Sequence, residues 1–219
     1  EGEGVFVGEA MPPSLKNPLL KVERAKEHLN VLDGQLREFT KANPFRVTTH
    51  EDVENGLYVM QMQIPIIDPK LGILAGDAIC NLRSALDHLA WQLALTTTDR
   101  PYRLTEFPVV SENTPENMRR FKSVTRDIPV TAINEIKGLQ PYLRGRDYQN
   151  DPLWKLDKLC NIDKHRVIPV HGTALDFKIP EGITPSIGTF NDAYIVTMPI
   201  AVKTQMELAP RPTAHVLFG

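Results

Sequence analysis

The hydrophobic positions in the first part of the chain repeat with a helical period. Apolar residues recur every three or four positions, and charged residues fill the places between them. The apolar positions are Val22, Ala25, Leu29, Leu32, Leu36 and Phe39. This spacing predicts a helix over residues 15–41 with one apolar stripe. Asn43-Pro44 is expected to end it, because proline cannot continue a helix.

The pattern changes to that of β-strands after this helix. Residues 45–49 and 57–64 are rich in β-branched and aromatic side chains, and Asn55-Gly56 stands between the two runs. An Asn-Gly pair in this setting is a strong signal for a tight turn, because both residues tolerate positive φ. The sequence therefore predicts a β-hairpin inserted at about residues 45–66.

Helical periodicity then returns in several further segments. The longest predicted helix covers residues 68–95 and has an unbroken apolar stripe. The stripe consists of Ile79, Leu82, Leu86, Leu89 and Leu93. Shorter helices are predicted over residues 115–124, 130–139 and 152–165. Trp91 and Trp154 fall on helical stripes, so we expect both in the core.

Beyond Arg166 short apolar runs alternate with proline and glycine, which is typical of strands joined by turns. The expected strands cover residues 167–170, 193–196, 205–208 and 214–218. The predicted fold class is α+β: mainly a helical bundle of four to five helices, with the inserted hairpin and a C-terminal antiparallel β-sheet. We expect residues 1–166 to form a helical domain and residues 167–219 a β-sheet extension packed on it.

Composition narrows the class of protein without indicating its function. The chain has 219 residues, and 25 Lys and Arg nearly balance 27 Asp and Glu, which gives a formal net charge of −2. This balance argues against a surface built for duplex DNA or anionic membranes. No stretch approaches the ~18 consecutive apolar residues of a membrane-spanning helix, so we expect no membrane association.

The cysteine content and the first residues indicate the cellular location of the protein. Cys80 and Cys160 are the two cysteines of the chain, too few for a disulfide scaffold of a secreted protein. The first four residues, Glu-Gly-Glu-Gly, lack the basic and apolar regions of a signal peptide. We therefore expect reduced thiols and a cytoplasmic location. Because the chain does not begin with Met, we expect a start that has been trimmed or altered.

The predicted helix over residues 68–95 carries short polar side chains opposite its apolar stripe. Asp77, Asn81, Ser84 and His88 recur at helical spacing, with Arg83 and Asp87 beside them. The plain interpretation is a solvated face on which Arg83 and Asp87 form an i,i+4 pair, which contributes ~0.2–0.5 kcal/mol. A solvated face is usually rich in Lys and Glu, however, so this mixture favours a site. Arg83 and His88 are five residues apart, a rotation of ~140°, so they share a direction only if the helix bends.

A second polar segment closes the predicted helix over residues 152–165. It contains Asn161, Asp163, Lys164, His165 and Arg166. Basic side chains are favoured at a helix C-terminus by the helix dipole, and this is the structural interpretation. Both polar segments contain Cys-Asn followed by Leu or Ile, at Cys80 and at Cys160. We therefore expect the two helices to lie side by side and to share a polar site.

These two segments resemble a known family. The first is Asn81-Leu82-Arg83-Ser84-Ala85-Leu86-Asp87-His88, which resembles the Arg-x4-6-His signature of HEPN-domain proteins. The second, residues 161–166, is similar to a stretch seen beside that signature in uncharacterised bacterial proteins of this type. HEPN domains are small helical bundles, often dimeric, and many are metal-independent ribonucleases in toxin, phage-defence and CRISPR contexts. The resemblance covers residues 15–166 loosely and is specific around residues 76–91.

The resemblance implies a ribonuclease that needs no cofactor and uses the ribose 2′-hydroxyl as nucleophile. Such a reaction needs proton transfer and positive charge near the phosphorane. His88 would transfer protons near neutral pH, and Arg83 would bind phosphate oxygens. The residues expected to support them are Asp77, Asn81, Ser84, Asp87, Asn161, Asp163, Lys164, His165 and Arg166. Family dimers bring two motifs together, so a homodimer is expected with the helix over residues 70–95 near its interface.

Other interpretations stay open. Many HEPN-like bundles bind nucleotides or proteins without cutting anything, and the near-neutral charge and Ser84, which follows Arg83 where the family usually has Asn, Asp or His, favour such a module. The C-terminal sheet is then a candidate surface for a protein partner. Cys80, Cys160, His88 and His165 have the chemistry of metal ligands, but no Cys-x2-Cys or His-x3-His spacing is present. A cysteine nucleophile paired with His165 rests on residue type alone.

Overall fold

The described residues form five α-helices, a four-stranded antiparallel sheet and a two-stranded antiparallel sheet. The computed structural model describes residues 13–42, 46–63, 66–168, 170–172, 184–190, 193–201 and 216–218. Most of the described secondary structure is helical, so the predicted α+β class with a helical majority is confirmed. No described helix combines the length and the apolar character that a bilayer crossing requires.

The helices begin and end close to their predicted positions. They are α1 (Lys16–Lys41), α2 (Lys70–Leu95), α3 (Pro115–Val124), α4 (Val130–Gly138) and α5 (Pro152–Asp163). Both α3 and α5 begin with a proline behind a capping side chain. Thr114 accepts a hydrogen bond from the backbone N–H of Asn117, and Asp151 accepts one from that of Leu153. These caps satisfy amide groups that a first helical turn leaves without partners.

A 3₁₀ segment that the sequence pattern does not predict connects α4 to α5. It covers Pro141–Asn150, and Gly145 interrupts it with a φ of +57°. Glycine adopts this conformation without the steric cost of a Cβ atom. A 3₁₀ turn has three residues, so it leaves no stripe with the 3.6-residue period by which helices are found.

The predicted hairpin is part of a larger sheet. The described strands of the chain are β1 (Arg46–Asp52), β2 (Leu57–Gln63), β3 (Val170–Gly172), β4 (Ser186–Phe190), β5 (Ala193–Pro199) and β6 (Val216–Phe218). Four of them form this larger sheet. Gly56 has a φ of +65° at the turn between β1 and β2, as the Asn-Gly pair predicts. The sheet order is β1-β2-β5-β4, with every pair antiparallel. Buried side chains of the sheet include Tyr58, Met60 and Met62 of β2 and Val196 and Met198 of β5.

The strands predicted over residues 193–196 and 214–218 are present as β5 and β6, whereas the other C-terminal strands differ from the prediction. Val167 and Ile168, expected in a strand, lie outside one, and β3 begins at Val170 and pairs with β6. Ile168 is buried, so its apolar character reflects burial and not strand pairing. Strand β4 was not predicted, because its Ser and Gly have low strand propensity and its formation depends on pairing with β5. The strand expected over residues 205–208 lies outside the described residues.

The described chain forms two compact units, each built from separated stretches. One contains the residues up to Asn30 and those from Ile73 to Val167, and the other contains Val31 to Gly72 and the residues from Ile168 on. The hairpin shares a unit and a sheet with the C-terminal strands. Pairing of β2 with β5 joins residues more than a hundred positions apart, and local periodicity carries no information about such a partner.

The core of the first unit is built on small residues of α2. Ala90 and Ala94 are fully buried. They pack with Phe107, Val110, Phe121, Ile128 and Ile136. Trp91, expected in the core, has 37% of its surface exposed, whereas Leu86 and Leu93 of the same helix pack against this cluster. Trp154 is half-buried and contacts Tyr148 edge to face, with ring centroids 5.7 Å apart.

Candidate functional site

Arg83 joins three parts of the first unit. Its Nε donates to Asp157 Oδ1 of α5 at 2.8 Å, its Nη1 donates to Asp87 Oδ1 at 2.5 Å, and its Nη2 donates to the carbonyl oxygen of Phe107 at 3.0 Å. Asp87 Oδ1 also accepts from the backbone N–H of Phe107 at 3.1 Å. The expected i,i+4 pair of Arg83 and Asp87 is therefore present, and it is one part of a network that fastens α2 to α5 and to the segment at Phe107.

The charge of Arg83 is held by this network. Only 12% of its side chain is exposed. Burial lowers the pKa of the guanidinium, but the hydrogen bonds and negative charges of Asp157 and Asp87 raise it more, so the pKa lies above its ordinary value. Three of the five N–H groups of the guanidinium already have acceptors. A phosphate at Arg83 would compete with two carboxylates.

The second residue of the resemblance, His88, does not join Arg83. It is half-buried and makes no hydrogen bond or ion pair with any residue that the structure describes, and the same holds for Ser84. Because α2 is helical through this region, the five-residue offset turns the two side chains ~140° apart. Arg83 points at α5, and His88 lies on another face of α2.

The polar residues of α2 contact two different helices, α1 and α5. Asp77 and Asn81 lie next to α1: Lys21 Nζ donates to Asn81 Oδ1 at 3.4 Å, and His28 Nδ1 lies 3.9 Å from Asp77 Oδ2. Asn81 Nδ2 also donates to the carbonyl oxygen of Asp77 at 2.8 Å. These two predicted site residues therefore support helix packing, while Arg83 and Asp87 face α5.

The two Cys-Asn segments lie next to each other, as their matching sequences predict. The Sγ atoms of Cys80 and Cys160 are 2.7 Å apart, and the Cys80 thiol donates to Asp163 Oδ2 at 3.6 Å. Gly76 makes room for this carboxylate, because a Cβ atom on residue 76 would stand 2.0 Å from Asp163 Oδ1. Burial is the largest cause that raises the pKa of the Cys80 thiol. The neighbouring Cys160 and Asp163 raise it further.

A polar cavity of about 200 Å³ opens beside Arg83. It is lined by Arg83, Asp87, Glu106, Val109, Arg120, Asp157, Asn161 and Lys164. Arg120 Nη2 pairs with Glu106 Oε1 at 2.8 Å. Asn161 Nδ2 donates to Asp157 Oδ2 at 3.1 Å, and Asn161 Oδ1 accepts from Lys164 Nζ at 3.5 Å. The lining thus holds three cationic side chains and three carboxylates. Positively charged hydrogen-bond donors and negatively charged acceptors therefore face the same cavity.

A second cavity of about 230 Å³ adjoins the first and is more apolar. Its lining is Glu106, Pro108, Val109, Val110, Ser111, Asn117, Arg120 and Phe121. Glu106, Val109 and Arg120 line both cavities. The ion pair of Glu106 and Arg120 therefore lies at the junction of a polar space and a partly apolar one.

The structure brings together some of the predicted site residues and separates others. Asp87, Asn161 and Lys164 share the cavity with Arg83, and Asp163 contacts Cys80. His165 and Arg166 follow the end of α5 as exposed residues, and neither side chain bonds to a described residue. Sequence reasoning missed Asp157, Glu106 and Arg120. Asp157 and Arg120 lie on helices that carry several other charged residues, and Glu106 precedes a segment without periodicity, so no local signal distinguishes them.

Metal ligation and similarity to known proteins add no further assignment. Within the described part of the chain, no group of three or more His, Cys, Asp or Glu side chains could hold a metal ion. Comparison of the chain with models of known families, with curated proteins and with solved structures finds no match in any of the three. The function has to be argued from the geometry of this site.

Proposed function

We propose that this chain is a non-catalytic HEPN-like binding module whose ligand is a nucleotide bound in the two adjoining cavities. The observation that carries the proposal is the engagement of Arg83 by Asp87, Asp157 and the Phe107 carbonyl. An arginine that stabilises a phosphorane needs free N–H groups aimed at the developing charge. An arginine bonded to two carboxylates shapes the wall of a binding site instead.

The lining of the polar cavity suits the phosphate and ribose of a nucleotide. Arg120 has 77% of its side chain exposed and one carboxylate partner, and Lys164 is exposed with one amide partner. Both cations can turn to a phosphate at little cost, and hydrogen bonds between charged groups contribute about 1.5–3 kcal/mol each. Asp157 and Glu106 supply acceptors for ribose hydroxyl groups.

The adjoining cavity suits the base. Pro108, Val109 and Phe121 give it an apolar wall, and Ser111 and Asn117 add hydrogen-bonding groups. Each cavity is smaller than the ~300–1,000 Å³ of typical sites for small molecules, and both together reach that range. A ligand with one charged end and one flat aromatic end matches this pair of spaces, which favours a nucleotide over a free phosphate.

One observation favours a ribonuclease as the second candidate. The half-buried imidazole of His88 has no described partner, so it is available for proton transfer. In that case a homodimer would have to bring His88 of one copy near RNA bound at another, as the family resemblance implies. Either function fits a cytoplasmic location, where reducing conditions keep Cys80 and Cys160 as the free thiols they are in the structure.

Calorimetric titration with the four ribonucleoside monophosphates and triphosphates tests the binding proposal. We expect saturable binding of at least one nucleotide, weakened about 10-fold or more by Arg120→Ala and by Lys164→Ala, since each removes a charged hydrogen bond. Arg119→Ala and Lys158→Ala are matched controls, because these residues are exposed on α3 and α5 and neither lines either of the two cavities described above. Absence of binding, or equal loss in the control variants, would contradict the proposal.

Incubation with mixed-sequence single-stranded RNA in the presence of EDTA tests the second candidate. The binding proposal predicts no cleavage by the wild-type protein. A ribonuclease of the expected type would cleave the RNA, and His88→Ala would reduce the rate by about 10²–10⁴-fold while Ser84→Ala had much less effect. Circular dichroism of each variant shows that a loss is not caused by unfolding.

A further inference from the structure

Cys80 and Cys160 contact each other across two helices although 80 positions separate them in the chain. Cys80 lies on α2 and Cys160 on α5, and their Sγ atoms are 2.7 Å apart as free thiols. The chain contains these two cysteines and no others. Any disulfide formed within one chain must therefore link this pair, and the helices need little movement to form it.

The two thiols differ in access to solvent. Cys160 has 3% of its surface exposed, whereas Cys80 is half-buried. A small reagent in solution therefore reaches Cys80 first. This order of access suits a two-step exchange in which an outer thiol reacts with the reagent and an inner thiol completes the bond.

We propose that Cys80 and Cys160 form an intramolecular disulfide on exposure to a low-molecular-weight disulfide, and that Asp163 slows the reaction. In the first step the deprotonated Cys80 attacks the reagent, forms a mixed disulfide and releases one reagent thiolate. In the second step the deprotonated Cys160 attacks Cys80 Sγ and displaces the other reagent thiolate. The protein loses two electrons and two protons, and the reagent disulfide becomes two thiols.

Asp163 opposes the first step through its charge. Its carboxylate accepts from the Cys80 thiol at 3.6 Å, so it stabilises the protonated form and repels the thiolate that has to attack. The lack of a side chain at Gly76 allows this approach, because a Cβ atom there would overlap the carboxylate. The thiol pair is therefore positioned for bonding and held in its less reactive state.

A disulfide between Cys80 and Cys160 would strengthen the contact between α2 and α5 beside the polar cavity. Cys80 precedes Arg83 by about one turn of α2, and Cys160 follows Asp157 by about one turn of α5, and Arg83 and Asp157 form an ion pair that lines the cavity. The disulfide would add a covalent link to this contact. The inference is independent of the nucleotide proposal, since it depends only on the two thiols and Asp163.

The test is incubation of the folded protein with oxidised glutathione, followed by non-reducing peptide mapping and titration of free thiols. We expect loss of both thiols, a single peptide pair joined through Cys80 and Cys160, and a rise in Tm of roughly 5–15 °C. Cys160→Ser should stop at a mixed disulfide on Cys80, and Cys80→Ser should leave the buried Cys160 unreacted. Two thiols that persist in the folded wild type, or disulfides that form only between chains, would overturn the proposal.

The part played by Asp163 is tested by rate. Asp163→Asn should accelerate the reaction about 3-fold or more at neutral pH, because thiolate abundance rises faster than nucleophilicity falls as the pKa decreases. Asp147→Asn is the control, since Asp147 is an exposed carboxylate of the same unit that contacts neither thiol. An unchanged rate in a folded Asp163→Asn protein would overturn the role of Asp163, and the thiol titration decides the disulfide separately.

Discussion

Arg83 of α2 and Asp157 of α5 form an ion pair, with Nε and Oδ1 2.8 Å apart, between residues that are 74 positions apart in the chain. The pair turns a local feature of one helix into a connection between two helices. It also explains why Arg83 is so little exposed although it lies on the polar side of α2. Whether Arg83 supports the fold or acts on a ligand can be separated by experiment.

Replacement of Arg83 should destabilise the protein. Arg83→Ala removes three hydrogen bonds and leaves Asp87 and Asp157 without their cation, so we expect the free energy of unfolding to fall by about 2–3 kcal/mol. Urea denaturation measures this change. Arg83→Lys keeps the charge but cannot reproduce the fork of donors, so it should recover only part of the loss. Stability equal to wild type in Arg83→Ala would contradict the structural role.

Two glycines in helices should respond to alanine in opposite ways. A Cβ atom at Gly76 would meet Asp163 Oδ1 at 2.0 Å, so Gly76→Ala should destabilise the protein by about 1–3 kcal/mol. Gly34 of α1 has open space around it, so Gly34→Ala should stabilise the protein by about 0.5–1 kcal/mol. Thermal unfolding measures both changes.

A double variant checks the cause of the first change. Asp163→Ala removes the side chain that the new methyl group would meet, so Gly76→Ala should cost much less in that background than in the wild type. If Gly76→Ala destabilised the protein equally in both backgrounds, the clash with Asp163 would not be the cause of the destabilisation.

The thiol of Cys80 should make stability depend on alkaline pH. Burial and the neighbouring Cys160 and Asp163 raise its pKa in the folded protein above the ordinary 9.0. Above pH ~9 the unfolded chain therefore loses this proton while the folded chain keeps it, and stability falls as pH rises. Below pH ~9 the protonated Cys80 thiol makes its full contribution to the unfolding free energy. The difference in unfolding free energy between wild type and Cys80→Ala, measured across pH 7–10, should decrease above pH ~9, and a constant difference would show that the pKa is not raised.

The expected homodimer predicts a mass of about twice the 24.6 kDa of one chain in light scattering. Ile73 and Trp91 of α2 are 48% and 37% exposed, and 18 residues make five full turns, so both lie on one face. If this face forms the interface, Trp91→Glu should give the monomer mass. A wild-type mass near that of one chain at micromolar concentration would contradict the dimer.

The sequence by itself determined the local elements and one relationship between them. Periodic apolar residues predicted α1 to α5 to within a few residues, and Asn55-Gly56 predicted the hairpin turn, because helix period and turn conformation depend on neighbours in the chain. The matching Cys-Asn segments also predicted that α2 and α5 lie together. They did so because two helices with polar side chains opposite apolar stripes can satisfy those side chains by facing each other.

Only the tertiary structure decided the partners of these elements. It joined the hairpin to β5, engaged Arg83 with Asp157, left His88 on another face of α2 and added Glu106 and Arg120 to the cavity. Each of these depends on which surfaces meet when separate stretches pack, and a side chain gives the same local pattern whether it meets solvent, a carboxylate or a ligand. The sequence could therefore show where polar chemistry lies along α2, and only the packing of α5 and the Phe107 segment against that helix decided which of those side chains face one another.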